Sequence, residues 1–250
     1  MNKIFNLLIL TIVFLICSVN LSARELSIKD LEERKKNDRE RELLREKRGI
    51  KKFTKEVEFK TDVIFFTKER KVPPVLSNLD PILDDEGFYG IKLGTEDNLT
   101  TGRFTGHDYG SKYIQVSLDE DFVKEFKKLI EQRYKFFIVD LKTEELIKIS
   151  QSIDISKILI FNVRSSSDAL RSEYCHENIF HIPPSYSMLA DSLTQYLVKK
   201  KWKNWFLIIG PEKEDKDFAK ALRKSAEKFK IKIIEEKVWD FSSDLRRTAQ

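Results

Sequence analysis

Cysteine is nearly missing: 250 residues hold only Cys17 and Cys175, too few for a fold stapled by disulfides. The common catalytic signatures are missing too. There is no G-x-S-x-G elbow, H-E-x-x-H pair, C-x-x-C or P-loop. No catalytic residue is therefore assigned, and the chain is read as a non-enzyme. A one-sided charge is also lacking, since 46 Lys and Arg stand against 41 Asp and Glu, a net +5. No long basic block runs without acids between its members, so nucleic acid is not an expected partner. The densest basic stretch, Lys199 to Lys203, sits at a helix C-terminus, where cations suit the helix dipole. Gly102, Gly106 and Gly110 are evenly spaced but do not form a dinucleotide fingerprint, and they read as a turn entering a strand. Cys175, His176 and His181 offer three metal ligands without a clear fourth, so neither metal nor cofactor is expected.

What is present begins at the N-terminus. Met1-Asn2-Lys3 carries a positive charge, Ile4 to Cys17 is almost wholly apolar, and Leu21-Ser22-Ala23 ends on a small residue. That order reads as a secretory signal peptide over residues 1–23, cut after Ala23. The apolar run is shorter than the ~20 residues of a membrane-spanning helix, although stretching it toward Val19 leaves an uncleaved anchor as the alternative. Bulky Ile16 before Cys17 argues against lipid attachment. Residues 24–60 are dominated by charge, with opposite signs at helical spacing such as Glu32 with Lys36 and Lys36 with Glu40. So little apolar surface reads as a solvated helix or a disordered linker.

From Thr61 compact apolar runs alternate with amphipathic stretches. Val63–Phe66, Tyr113–Val116, Phe136–Val139, Ile158–Phe161, Phe206–Ile209 and Ile231–Ile234 read as buried strands. Helical spacing recurs in Leu83 to Leu93, from Phe122 to Ile130, through Leu146 and Ile149, from Met188 to Leu197, and from Phe218 to Ala226. Asn98 to Gly110 reads as a Gly/Thr-rich loop. Continuous apolar strands alternating with such helices predict an α/β fold, doubly wound, with a parallel sheet covered on both faces. The Pro183-Pro184 break divides a first lobe, 61–182, from the start of a second, 183–250. Only two strands follow that break, and Asp244 to Gln250 reads as the opening of a helix, so the second lobe is expected to be incomplete.

Ligands of open α/β sheets bind outside the carboxyl ends of the strands. Arg164-Ser165-Ser166-Ser167-Asp168 directly follows the strand ending at Val163, and its hydroxyls and charges suit a small polar solute. Helix capping by Ser167 or Asp168 explains the same loop without a ligand. Asn98-Leu99-Thr100 matches a glycosylation sequon, a short pattern that arises by chance.

Three segments carry a family resemblance: Asp97 to Gly106, Asn162 to Arg171, and Ile182-Pro183-Pro184-Ser185 through Asp191. With export and repeated βα units, they make the chain resemble the type I periplasmic solute-binding proteins, the receptors of ABC importers. It is most similar to the ABC substrate-binding family associated with pyrroloquinoline-quinone (PQQ)-dependent alcohol oxidation, over roughly Asp62 to Gln250. The resemblance implies a two-lobed clamp in the periplasm that closes on a small-molecule solute and delivers it to an ABC permease in the inner membrane. It further implies ligand contacts from Ser165, Ser166 and Ser167, with Arg164 and Asp168 as neighbours and Tyr186 closing from the hinge. A sensor or accessory protein using the same clamp is the alternative. Thr101-Gly102-Arg103 stands where relatives carry a Gly-Gly loop, so an amino-acid ligand does not follow.

Overall fold

The computed structural model describes residues 36, 39, 43, 54–70 and 87–239. The expected signal peptide, the helix start before Gly87 and the final Asp244 to Gln250 segment lie outside the described residues. Chain contacts divide the protein into two units, Met1–Thr54 and Lys55–Gln250. In the first, Lys36, Arg39 and Leu43 are helical and exposed. Among the described residues no helix is long and apolar enough to cross a membrane.

The second unit holds a five-stranded parallel sheet of β1 (Phe59–Lys68), β2 (His107–Val116), β3 (Phe136–Asp140), β4 (Leu159–Asn162) and β5 (Ile179–His181). Helices α1 (Phe88–Thr105), α2 (Phe122–Glu131) and α3 (Thr143–Ser152) connect its first four strands. The strand order is β2-β1-β3-β4-β5. The chain thus steps outward from β1 to β2, then crosses back over β1 to continue on the other side. That reversal places a topological switch point between β1 and β3.

Alternation along β1 shows why both faces must be covered. Phe66 is wholly buried on one face, with its ring 5.0 Å from Phe126 of α2 at 85°. Phe65, 2% exposed, points to the opposite face and meets Phe88 of α1 at 6.4 Å and Tyr113 at 5.7 Å. Phe126 continues to Phe137 at 4.6 Å, and Leu146, Ile149 and Ile160 complete this core. Asp121 caps α2, its carboxylate accepting the Val123 N–H at 3.1 Å.

Two expectations need correction. Asn98 to Gly110 is not a loop: α1 runs to Thr105, and β2 starts at His107. Gly106 ends the helix at φ 77°, the left-handed conformation that glycine adopts without strain. Gly102 serves close packing, because a Cβ there would lie 2.2 Å from the His107 carbonyl oxygen. The short strand β5 is also unforeseen. Its three residues alternate too briefly to give a periodic signal, and it forms at the sheet edge against β4.

Beyond Pro184 lie α4 (Tyr186–Lys199), β6 (Asn204–Ile209), α5 (Lys213–Lys228) and β7 (Lys232–Val238). Strands β6 and β7 pair in parallel as a separate two-stranded sheet. Small residues bring α4 and α5 together: Ala190 and Thr194 of α4 are wholly buried, and Ser225 Oγ donates to Thr194 Oγ1 at 2.8 Å. Trp205 and Leu207 pack toward the helices, whereas Phe206, Ile208 and Ile234 are more than half exposed on the other face.

Candidate functional site

The carboxyl ends of the strands carry a row of polar residues. Thr67 of β1 and Asp140 of β3 are register partners across the switch point. Asn162 ends β4 opposite Val139, and His181 ends β5 opposite Asn162. Each sits one position beyond an apolar run, so the core stops where the crevice begins.

Asp140 gathers three strand exits. Arg70, two residues past β1, donates its Nη2 to Asp140 Oδ2 at 2.6 Å and to the Asp140 carbonyl at 2.7 Å. Arg164, past β4, donates Nε to Oδ1, and its Nη2 lies 3.4 Å from Oδ2. Thr67, 5% exposed, adds its hydroxyl at 3.3 Å from Oδ2. Burial is the largest influence on the Asp140 carboxyl and opposes its charge. The hydrogen bonds and charges of Arg164 and Arg70 together outweigh it and hold the carboxyl below its ordinary pKa. Among the described residues, two guanidiniums on one carboxylate leave a positive excess. Their side chains remain 29% and 41% exposed for Arg70 and Arg164.

Fully buried Asn162 shapes the loop after β4. Its Oδ1 accepts the N–H groups of Arg164 at 3.1 Å and Ser165 at 2.9 Å, and its Nδ2 donates to the Ser165 carbonyl at 2.7 Å. The expected serines therefore do different work. Ser165 is buried: its Oγ shares a 2.6 Å hydrogen bond with Thr143 Oγ1 and accepts the Ser167 N–H at 3.3 Å. Ser167 is buried as well. Ser166 is partly exposed, and its carbonyl accepts the Tyr186 N–H at 2.8 Å.

Asp168 starts a single 3-10 turn, Asp168–Arg171, for which Ser167 provides no side-chain cap. The Asp168 carboxylate instead accepts Ser187 N at 3.2 Å and Ser187 Oγ at 2.8 Å, so it secures the first turn of α4. Tyr186 lies with its ring 5.5 Å from Phe218 of α5. Burial, then the charges of Glu214, Asp217, Asp215 and Asp168, push its hydroxyl pKa upward. The structure thus joins Ser166, Asp168 and Tyr186 at the passage into α4, and joins Arg164 to Arg70 and Asp140 at the switch point.

Of the Cys175, His176 and His181 trio, both histidines are engaged otherwise, and Cys175 is a free, exposed thiol. His176 Nδ1 accepts the Asn178 N–H at 3.2 Å, and His181 Nδ1 bonds Asn162 at 3.1 Å. Among the described residues no group of three or more His, Cys, Asp or Glu is placed to hold a metal ion.

Thr67, Arg70 and Asp140 escaped the sequence reading, although a signal existed. The rule that drew attention to Arg164 applies to every strand exit: Thr67 and Asp140 directly follow the runs ending at Phe66 and Val139, and Arg70 comes three residues after Thr67.

The structure is similar to several solved proteins. An ABC transporter substrate-binding protein from Desulfitobacterium hafniense, one structure of which is a complex with Leu, matches with a TM-score of 0.59 at 15% identity, over 75% of this chain and 52% of that one. A branched-chain amino acid ABC transporter periplasmic ligand-binding protein from Burkholderia xenovorans gives 0.57 at 14%, over 76% and 50%. A solute-binding protein of an ABC transporter from Rhodopseudomonas palustris, in complex with 3,4-dihydroxybenzoic acid, gives 0.50 at 8%, over 74% and 48%. The chain therefore spans about half the length of these structures, and the likeness is one of fold: the α/β architecture of the type I periplasmic binding proteins. No curated protein matches the sequence. A family model described as periplasmic binding protein matches residues 120–247, just over half the chain, from the approach to α2 through β7. That stretch contains Asp140, Asn162, the serine loop and the start of α4, and on it the chain belongs to the periplasmic binding protein family.

Proposed function

We propose that this protein is an exported solute-binding component of an ABC import system, holding a small polar ligand between its two lobes without chemical conversion. The observation that carries the reading is the meeting of the β1, β3 and β4 exits at Asp140, on the switch point of a periplasmic-binding-protein fold. Leucine and 3,4-dihydroxybenzoic acid, bound by two proteins of similar fold, suggest the size of the solute. Arg164 and Ser166 are the members of the serine loop that supply groups toward a ligand. Ser165, Ser167 and Asp168 hold the loop and α4 in place, and Tyr186 closes the passage between the lobes.

The periplasm is the site of action, reached through the signal peptide of residues 1–23, and an inner-membrane permease is the partner. Family resemblance further links the solute to PQQ-dependent alcohol oxidation.

A thermal-shift screen of the full chain tests the receptor reading. Its panel comprises alcohols, aldehydes, carboxylates, amino acids, the quinone cofactor and lanthanide ions. Saturable binding raises stability by RT ln(1 + [L]/Kd), about 2.7 kcal/mol at a hundredfold excess over Kd. A rise confined to one class supports the reading, and folded protein that responds to no class refutes it. Deletion of the gene tests the alcohol link, which requires slower growth on alcohols and unchanged growth on succinate.

A further inference from the structure

We infer that the solute is anionic and presents a carboxylate to Arg70 and Arg164; this rests on the receptor reading above and narrows it to a charge class. Three observations lead there.

First, the charge at the switch point does not balance among the described residues. Asp140 is the acidic partner of both guanidiniums, and among the described residues neither has a second carboxylate at ion-pair distance. The nearby Lys68 is paired with Glu145 at 3.5 Å and so contributes little to the excess. Among the described residues one positive charge is left over for a ligand.

Second, the donors are only partly used. Arg70 directs Nη2 alone to Asp140 and Thr67, and Arg164 directs Nε and Nη2 to Asp140. Arg70 retains Nε and Nη1, and Arg164 retains Nη1, without protein acceptors among the described residues. These remaining N–H groups belong to cations, so the charged oxygens of a carboxylate satisfy them better than a neutral amide does.

Third, the two guanidiniums are held in place before any ligand arrives. Asp140 is fixed in β3, with its side chain 17% exposed, and Asn162 orients the Arg164 backbone through the 3.1 Å hydrogen bond. Arginines ordered in advance lose less side-chain freedom on binding. Asp140 thereby acts as a positioning residue for both cations rather than as a ligand contact.

The test sets matched pairs against the full chain by thermal shift and isothermal titration: benzoate with benzamide, succinate with succinamide, and 4-methylvalerate with 4-methylvaleramide, plus putrescine as a cation. At least one carboxylate is expected to raise Tm saturably while its amide does not, with affinity falling as NaCl is added. Arg164→Gln and Arg70→Gln should each weaken that binding by about ten- to hundredfold, the range for a lost hydrogen bond to a charged group. Arg164→Lys should recover part of it by restoring charge without the planar guanidinium. Far-ultraviolet circular dichroism and the unliganded Tm establish that the variants are folded.

An amide or putrescine that binds as well as the carboxylates overturns the inference and leaves the receptor reading standing. So does carboxylate binding that both glutamine variants retain unchanged. Failure of every carboxylate also overturns it, and failure of every class in the wider screen removes the receptor reading as well.

Discussion

Lys213, the first residue of α5, forms an ion pair with Glu144, the second residue of α3, so the helix that follows β6 is tied to the helix that follows β3. The pair joins the layer of the five-stranded sheet to that of the two-stranded sheet near the crevice. Hydrogen bonding to Lys213 is the largest influence on Glu144 and lowers its pKa, and the reciprocal bond raises that of Lys213. Both side chains are at least half exposed, at 63% and 50%, so solvent screening keeps the energy small. A double-mutant cycle with Lys213→Met and Glu144→Gln should give a coupling of about 0.2–1 kcal/mol. The coupling should fade in 1 M salt, where the Debye length is about 3 Å. All three tryptophans, Trp202, Trp205 and Trp239, follow α4, so their fluorescence during urea unfolding reads the β6–β7 region directly.

Asp140 should matter far more. Removing it leaves Arg70 and Arg164 facing each other without their shared anion, in a setting where the carboxylate is mostly buried. Asp140→Ala is expected to cost about 2–4 kcal/mol, measured by urea denaturation at pH 7. The sign with pH follows from the lowered pKa. The stabilisation is present above the unfolded-state aspartate pKa of about 3.9 and is lost as pH falls through the lower folded-state value. Other carboxylates titrate in the same window. The curve that isolates Asp140 is therefore the difference between wild type and Asp140→Asn, which should narrow toward acid pH.

His181 gives a second pH dependence, closer to neutrality. Burial first, then the positive charge of Arg171, lower its pKa, and a backbone hydrogen bond at Leu170 opposes them only in part. A histidine kept neutral by folding contributes stability above its unfolded pKa of about 6.5 and loses it as pH falls toward the folded value. Wild-type Tm should therefore drop between pH 7 and pH 5, and His181→Gln should drop less over that interval. Equal slopes would remove His181 as the source.

The sequence carried most of the repeating βα units because the central strands are continuous apolar runs and α2 to α5 show a clear stripe, which the glycine-rich α1 and the three-residue β5 lack. The runs ending at Phe66, Val139 and Phe161 lie in β1, β3 and β4, and the spacing of Phe122, Phe126 and Leu129 matches one face of α2. Strand order was not legible in this way. Nothing local tells β1 that its neighbours are β2 and β3, so the switch point and the pairing of Thr67 with Asp140 emerge only in three dimensions. The serine loop was visible because its residues are contiguous, whereas Arg70, Asp140 and Arg164 are separated by 70 and 24 positions. Their grouping depends on tertiary structure that no window of sequence contains.

Phe126 and Phe206 offer a direct contrast in packing. Phe126 is wholly buried between Phe66 and Phe137, whereas Phe206 is 52% exposed on the open face of the two-stranded sheet. Phe126→Ala should cost about 3–5 kcal/mol through lost burial and a cavity. Phe206→Ala should cost under about 1 kcal/mol, since much of its ring already meets water. Chemical denaturation of both variants reads the difference. Similar losses would mean that Phe206 is covered in solution.

Two glycines of α1 separate helix propensity from tertiary fit. Glycine inside a helix is less favourable than alanine by about 0.8–1.0 kcal/mol, so replacing one would ordinarily stabilise. Gly94 is exposed, and a Cβ there meets nothing within 4 Å; Gly94→Ala should raise stability by about 0.5–1 kcal/mol. Gly102 has the same backbone preference but faces β2, where a Cβ would stand 2.2 Å from the His107 carbonyl oxygen. That neighbour is backbone at the first position of a paired strand, so relief requires α1 to move away from β2. Gly102→Ala should therefore lower stability by about 1–3 kcal/mol despite its better helix propensity. Opposite signs in thermal melts of the two variants would establish that the glycine-rich texture of this segment serves close packing of helix on strand. Stabilisation by both would show that α1 stands farther from β2 than this packing requires.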